Sequence, residues 1–137
     1  MSFELNSLAF SEETVLHLEH PATGAPLFAK DKKGADDESK PVQIVLKGSA
    51  SPAYARAVDV MMKQKSKIKN REMTLKEARD QNIEFLTALS VTAHNLTLDG
   101  EALDNPEAFR KLYSNSSYDW IKEQVNATLQ SAEAFLK

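Results

Sequence analysis

The sequence predicts a single α+β domain spanning residues 1–137, with a small antiparallel sheet from the N-terminal third packed against four helices. Residues 14–19 and 42–47 alternate apolar and polar side chains, the period of two that is typical of strands. Later segments space their apolar side chains as amphipathic helices do, and most begin at a capping residue. A length of 137 residues suits one ordinary domain, so a second full domain is not expected.

Residues 1–48 form the strand-rich part of the prediction. A turn at residues 21–24, where Gly24 can adopt a positive φ, joins the strand at 14–19 to a returning strand at 25–29. The strand at 42–47 is rich in β-branched residues and ends at Gly48. The charged segment 31–40 lacks periodicity and is predicted to be a mobile loop. Three short strands are marginal alone, so helices must cover one face of the sheet.

Residues 50–137 form the mainly helical part, and its first two helices have clear starting points. Ser51 is a predicted N-cap, with Pro52 at the first helical position. Thr74 and Glu77 match a capping box at the start of the second helix. The apolar stripe of the first helix contains Tyr54, Val58, Met61, Met62 and Ile68. The inward-facing residues of the second are predicted to be Ala78, Phe85, Leu86 and Leu89.

A short hairpin and two further helices complete the predicted domain. Asp99 and Gly100 are a strong turn signal for a hairpin near residues 96–103. Asn105 followed by Pro106 starts a third helix. Ser116 or Ser117 is predicted to cap the last helix, with an acidic residue in its first turn. The apolar stripe of this helix is predicted to continue through Ile121, Val125, Leu129, Ala132, Phe135 and Leu136.

The composition restricts where such a chain would work. It contains no Cys, which excludes disulfides, thiolate metal ligands and Cys nucleophiles and favours a reducing compartment. No apolar run approaches the roughly 20 residues of a membrane span. Residues 1–6 lack the basic and apolar parts of a secretory signal. We therefore expect a soluble cytoplasmic domain that does not act at a membrane.

No group of side chains in the sequence has the pattern of an active site. His17, His20 and His94 lack the spacing of metal ligands. The four Gly residues are isolated at turns and form no phosphate-binding loop. No Ser has the surroundings of a catalytic nucleophile. We expect a protein that is not an enzyme and that uses no catalytic residue, metal or cofactor.

Basic side chains are concentrated between residues 51 and 71. This block has six Lys and Arg residues and one acid, Asp59, so its net charge is +5 within a chain of net charge −3. Three interpretations remain open: a solvated helix end whose cations complement the helix dipole, a surface for an acidic protein segment, and a nucleic-acid-binding surface. Aromatic side chains are absent between residues 58 and 72, which disfavours the last interpretation.

A second candidate region is the aromatic segment 112–125, which holds the only Trp of the chain. Its large side chains either anchor the last helix to the core or contact a partner. Two adjacent Met residues beside the basic block supply adaptable apolar surface. The candidate partner-binding residues are therefore Met61, Met62, Lys63, Lys65, Lys67, Lys69, Tyr113 and Trp120.

Several short motifs follow one another in a characteristic order over nearly the whole chain. They are residues 3–6, the predicted hairpin 16–27, the strand 41–46, the helix start 51–56, the turn 98–103, the pair 112–113 and the segment 120–125. In order and spacing they resemble the tail assembly chaperones of long-tailed bacteriophages and their prophages. Residues 93–96 depart from this pattern, because such proteins are expected to carry a Trp shortly after the second long helix.

The resemblance implies a non-enzymatic assembly factor in the cytoplasm of a bacterial host. Such a chaperone binds the long helical tape measure protein, with the tail tube protein as a second candidate partner, and is absent from the mature virion. Self-association is compatible with this role. Two alternatives have the same size and the same lack of catalytic residues: a structural minor tail or head–tail connector subunit, and a nucleic-acid-binding regulator that uses the basic helix.

Overall fold

The computed structural model describes residues 2–68 and 71–136 and has an α+β fold, as predicted. Short 3-10 turns lie at Leu5–Leu8 and Ser116–Tyr118. The other elements, in chain order, are β1 (Glu13–His17), β2 (Phe28–Lys30), β3 (Asp36–Pro41), β4 (Gln43–Lys47), α1 (Pro52–Ile68), α2 (Leu75–Leu89), β5 (Ser90–His94), β6 (Thr97–Leu98), β7 (Glu101–Ala102), α3 (Pro106–Ser114), α4 (Asp119–Leu129) and α5 (Ala132–Phe135).

The main sheet has three antiparallel strands in the order β1-β4-β5. Ile44 of the central strand faces Leu16 on one side and Ala93 on the other. The alternation of β4 buries Ile44 and Leu46 on the inner face, as its sequence pattern predicts. The prediction that the sheet comes from the N-terminal third alone is wrong. Its third strand, β5, follows α2 without any turn residue, so no sequence signal separates the two elements.

A second, two-stranded sheet is formed by β2 and β3. The predicted mobile loop at 31–40 is therefore wrong in its second half, because residues 36–41 pair with β2 although almost all of them are polar. Asp31 shapes the turn between these strands by accepting hydrogen bonds from two backbone N–H groups, and Gly34 adopts a φ of 82° there. Backbone hydrogen bonds among Leu18, Leu27 and Val42 join this sheet to the main one.

Helices α2, α3 and α4 cover the inner face of the main sheet and enclose the core. The hydroxyl of Tyr113 lies 2.7 Å from Ser90 Oγ, and Ser90 Oγ in turn donates to the carbonyl of Leu86 at 2.7 Å. Burial raises the pKa of Tyr113 to about 12, and the hydrogen bond with Ser90 offsets part of that rise. The buried core consists of Leu18, Val42, Ile44, Leu46, Ile83, Leu86, Leu103, Phe109, Leu112, Tyr113, Ile121 and Val125.

The predicted starts of the first three helices and the predicted hairpin are confirmed. Ser51 Oγ accepts from the N–H of Tyr54 and donates to the carbonyl of Gly48. Thr74 and Glu77 form the reciprocal capping box, and Asn105 caps α3. In the β6–β7 hairpin, Asp99 and Gly100 adopt φ values of 52° and 80°, the left-handed pair that a tight two-residue turn needs.

Two details of the helical part differ from prediction. Ala78 was predicted to face inward but is exposed. At 100° per residue it lies about 140° around α2 from the buried Ile83, on a different side of the helix. The last helix is divided: α4 ends at Leu129, and Ser131 caps the short α5. The side chain of Ala132 lies outside what the structure describes. Neither Ser116 nor Ser117 caps α4, because both belong to the preceding 3-10 turn, which Asn115 caps.

We predict that Tyr113→Phe lowers the free energy of unfolding by about 1 kcal/mol at pH 7, because it removes one hydrogen bond from a buried site. Since the raised pKa belongs to the folded state, the contribution of this group is complete below pH 10 and is lost as the pH rises through about 12. The variant should therefore lose less stability than the parent between those pH values.

Urea unfolding at a series of pH values measures both effects. Tyr118→Phe is the matched control, because it makes the same chemical change at a half-buried tyrosine that packs at the edge of the core. Equal stability of the Tyr113→Phe variant and the parent at pH 7 would contradict the assigned core role.

Candidate partner-binding surface

Helix α1 lies outside the core. It has 17 residues, of which Ala57 alone is buried within the described part of the helix. The core cluster contains none of its side chains. It packs mainly against α2, where the rings of Tyr54 and Phe85 meet edge to face at 5.5 Å and Gln81 donates to the carbonyl of Met61 at 3.2 Å. The apolar stripe predicted for α1 is therefore partly solvent-exposed.

The outer side of this helix pair forms a groove, which we call the α1–α2 groove. It has two sections, of about 320 and 370 Å³, which share the walls formed by Gln64, Gln81 and Glu84. The first section is mostly apolar and is further lined by Ala53, Arg56, Ala57, Val60, Met61, Phe85 and Ala88. The second is more polar and is further lined by Lys67, Ile68, Arg71, Met73, Glu77 and Asp80.

Two of the acids in the groove are held in ion pairs. Arg71 donates two hydrogen bonds to the carboxylate of Glu77, at 2.7 and 2.8 Å. The Arg71 side chain, followed by the backbone N–H of Thr74, lowers the pKa of Glu77 to about 2. Arg110 donates in the same two-pronged way to Glu84. These acids are therefore already neutralised by cations of the chain itself.

Three groove residues keep an unpaired charge. Arg56, Lys67 and Asp80 form no ion pair with any residue that the structure describes. Arg56 and Lys67 lie on α1, eleven residues apart, which is close to three helical turns. Both cations therefore lie on the same side of the helix, one in each section of the groove.

The structure brings only some of the predicted partner-binding residues together. Met61 and Lys67 line the groove. Met62 is 59% exposed but lies outside the groove. Lys63 pairs with Asp59 one turn earlier, at 3.1 Å. Lys65, like Lys67, is in the last turn of α1, where a cation complements the helix dipole.

The remaining candidates do not belong to this surface. Lys69 lies outside the described residues. Tyr113 is fully buried, so its assignment as a partner contact is wrong, because its ring has no surface to offer. Trp120 is half-buried and packs against the core from α4, as an anchoring residue does. Within the aromatic segment 112–125, the observed contacts are those of core packing.

Several groove residues were not predicted from the sequence. Ala53, Ala57 and Val60 recur at spacings of four and three, which is itself a helical stripe. The larger side chains of Tyr54, Val58 and Met61 form a second stripe at the same spacing. The prediction assigned the apolar face of α1 to this second stripe. Ala88 on α2 gave no signal, because a single Ala in a helix is compatible with any position.

Two of the three histidines, His17 and His20, make structural contacts. His17 Nε2 lies 2.7 Å from the carbonyl of Leu27, and its ring meets Phe28 edge to face. His20 Nδ1 accepts from the N–H of Ala22 in a turn. Across residues 2–68 and 71–136, no cluster of three or more His, Asp or Glu side chains could hold a metal ion. No helix in that same part of the chain is long and apolar enough to cross a membrane.

We predict that Glu77→Gln lowers stability at pH 7 and that this difference disappears in acid. The pKa of Glu77 is lowered in the folded state, so its contribution is present above its ordinary value of 4.5 and is lost as the pH falls toward about 2. The side-chain oxygen of Gln can still accept the hydrogen bond from the backbone N–H of Thr74. The substitution therefore tests only the negative charge of Glu77. Urea unfolding between pH 7 and pH 2 measures the difference.

The control for this experiment is Glu72→Gln, which removes the exposed carboxylate of the residue directly after Arg71 without breaking the two-pronged pair. That variant should follow the parent over the whole range. A difference between Glu77→Gln and the parent that stays constant down to pH 2 would show that the pair with Arg71 does not stabilise the fold.

Comparison of the chain with protein-family models, with curated proteins and with solved structures finds no significant match.

Proposed function

We propose that this chain is a non-enzymatic tail assembly chaperone, which binds the tape measure protein and keeps it soluble while the tail tube assembles. The observation that carries the proposal is the α1–α2 groove, a largely apolar concave surface between two helices that no other part of the described chain covers. The order of the sequence motifs supports the same role. No cofactor, metal or catalytic residue takes part in it.

The physical reason lies in the properties of an unassembled tape measure protein. A long helical protein exposes apolar faces until the tube encloses it, and exposed apolar surface of that kind aggregates. A groove walled by helices accepts an apolar helical face, and the flexible Met61 can adjust to different sequences. Because α1 is outside the core, occupation of the groove leaves the core packing undisturbed.

Two other roles would use the same surface differently. A structural subunit of the tail or connector would keep its contact and stay in the particle. A nucleic-acid-binding regulator would use the basic end of α1, but the sequence has no aromatic residue between positions 58 and 72 on which bases could stack. The chaperone role fits better because one section of the groove is mostly apolar and only two cations among the described groove residues are unpaired.

We predict that co-expression with the tape measure protein encoded beside this chain keeps that protein in the soluble fraction. The two should co-purify, and this chain should be missing from mature tails. Fractionation of lysates with and without this chain measures solubility, and the protein composition of purified particles measures retention.

The alternatives give different results in the same experiments. Presence in purified particles at a fixed copy number would identify a structural subunit. Failure to affect the tape measure protein, together with DNA binding that weakens steeply with salt, would identify a regulator, because each phosphate contact releases counterions.

A further inference from the structure

We infer that the α1–α2 groove binds one amphipathic helix of the tape measure protein, about four turns long, with an apolar face toward the groove and acidic residues along the α1 side. This inference rests on the proposed function and adds the length, the conformation and the charge that the bound segment must have. Length, apolar contact and charge each contribute to it.

The length of the groove matches a helix of about fifteen residues. Its walls extend along α1 from Ala53 to Ile68, a separation of about 22 Å at 1.5 Å per residue. An extended peptide would cross this distance in about seven residues and would need a sheet edge for its backbone hydrogen bonds. The groove is walled by two helices and offers no such edge. A helix satisfies its own backbone and needs only side-chain contact.

The floor of the groove is suited to close approach by a third helix. Ala57 and Ala88 are small, and Val60, Met61 and Phe85 supply the larger apolar contacts. A helix placed there would present apolar side chains at positions i, i+3 or i+4, and i+7. Val60 is 52% exposed in the free protein, so an incoming apolar side chain would remove a large part of its surface from water.

The unpaired charges fix the polarity of the partner. Arg56 and Lys67 stand on the same side of α1, about 16 Å apart, while Glu77 and Glu84 are already paired within the chain. A bound helix with acids at positions about eleven residues apart would meet both cations. Asp80 lies on the opposite wall, so this complementarity applies to the α1 side.

The chain's own N-terminal segment is a poorer occupant, even in a second copy. Phe3, Leu5, Leu8 and Phe10 are exposed, and they would gain from apolar contact. However, the regular part of that segment is a single 3-10 turn of four residues. It carries one acid, Glu4, before residue 11, whereas the groove has two separated cations.

The test compares the affinity of purified, full-length variants for the tape measure protein. Val60→Glu places a charge in the apolar section and should weaken binding at least about tenfold, because binding would press the carboxylate against the apolar face of the incoming helix. Val15→Glu is the matched control: Val15 is 51% exposed, and it lies on β1 outside the groove. We expect it to change affinity less than about twofold. Ala88→Glu, on the other wall, should act like Val60→Glu.

The charge requirement is tested by Arg56→Glu combined with Lys67→Glu, against Lys32→Glu combined with Lys33→Glu in the exposed turn before β3. The two double substitutions change the net charge of the chain by the same amount. The first pair should weaken binding severalfold at low salt and less at high salt, and the second should have little effect. Thermal melts verify that each variant is folded.

The outcomes separate the inference from the proposed function. If the parent chain does not bind the tape measure protein, the proposed function and the inferred occupant both fail. If the parent binds and the Val60 and Val15 variants bind equally well, the inference alone is overturned. If Val60→Glu instead converts an oligomer of the free chain to a monomer without affecting the tape measure protein, a second copy is the occupant and the inference is also overturned.

Discussion

The fold depends on the packing of strand β4 between β1 and β5. Its inward side chains, Ile44 and Leu46, are fully buried, and its backbone pairs with strands that are distant in sequence on both sides. Because β5 continues directly from α2, pairing with β4 also fixes where α2 lies on the sheet. Ser90 strengthens this junction, since its hydroxyl contacts both Leu86 of α2 and Tyr113 of α3. The position of the candidate surface follows from that arrangement.

Helix α2 packs against two parts of the molecule because it has two apolar sides. Ile83, Leu86 and Leu89 face the core, whereas Phe85 and Ala88 face α1 and the groove. The core therefore fixes one wall of the groove, and the other wall is a helix that the core does not contain. This division allows a partner to contact α1 without disturbing the packing around Tyr113.

Local signals in the sequence predicted the fold class, the capped helix starts, the β4 strand and the hairpin turn at Asp99 and Gly100. Strands β3 and β5 were missed because β3 is polar and β5 has no turn before it, so only pairing with distant residues defines them. The basic block on α1 was predicted, but the groove beside it was not. Small residues such as Ala57 and Ala88 become a surface only when two helices place them together. Tyr113, near the end of α3, was misassigned because an aromatic residue beside a helix boundary has the same sequence pattern in a core and at an interface.

Helix α1 is held by α2 and lies outside the core, so it should open independently of the rest of the domain. Native-state hydrogen exchange of the partner-free protein measures this, because it reports the opening free energy of each backbone amide. We expect the amides of α1 to exchange through a local opening with a free energy below that of global unfolding. Amides of β4 and of the inner face of α2 should exchange only when the whole domain unfolds. Protection of α1 equal to that of β4 would instead show that the helix unfolds together with the core.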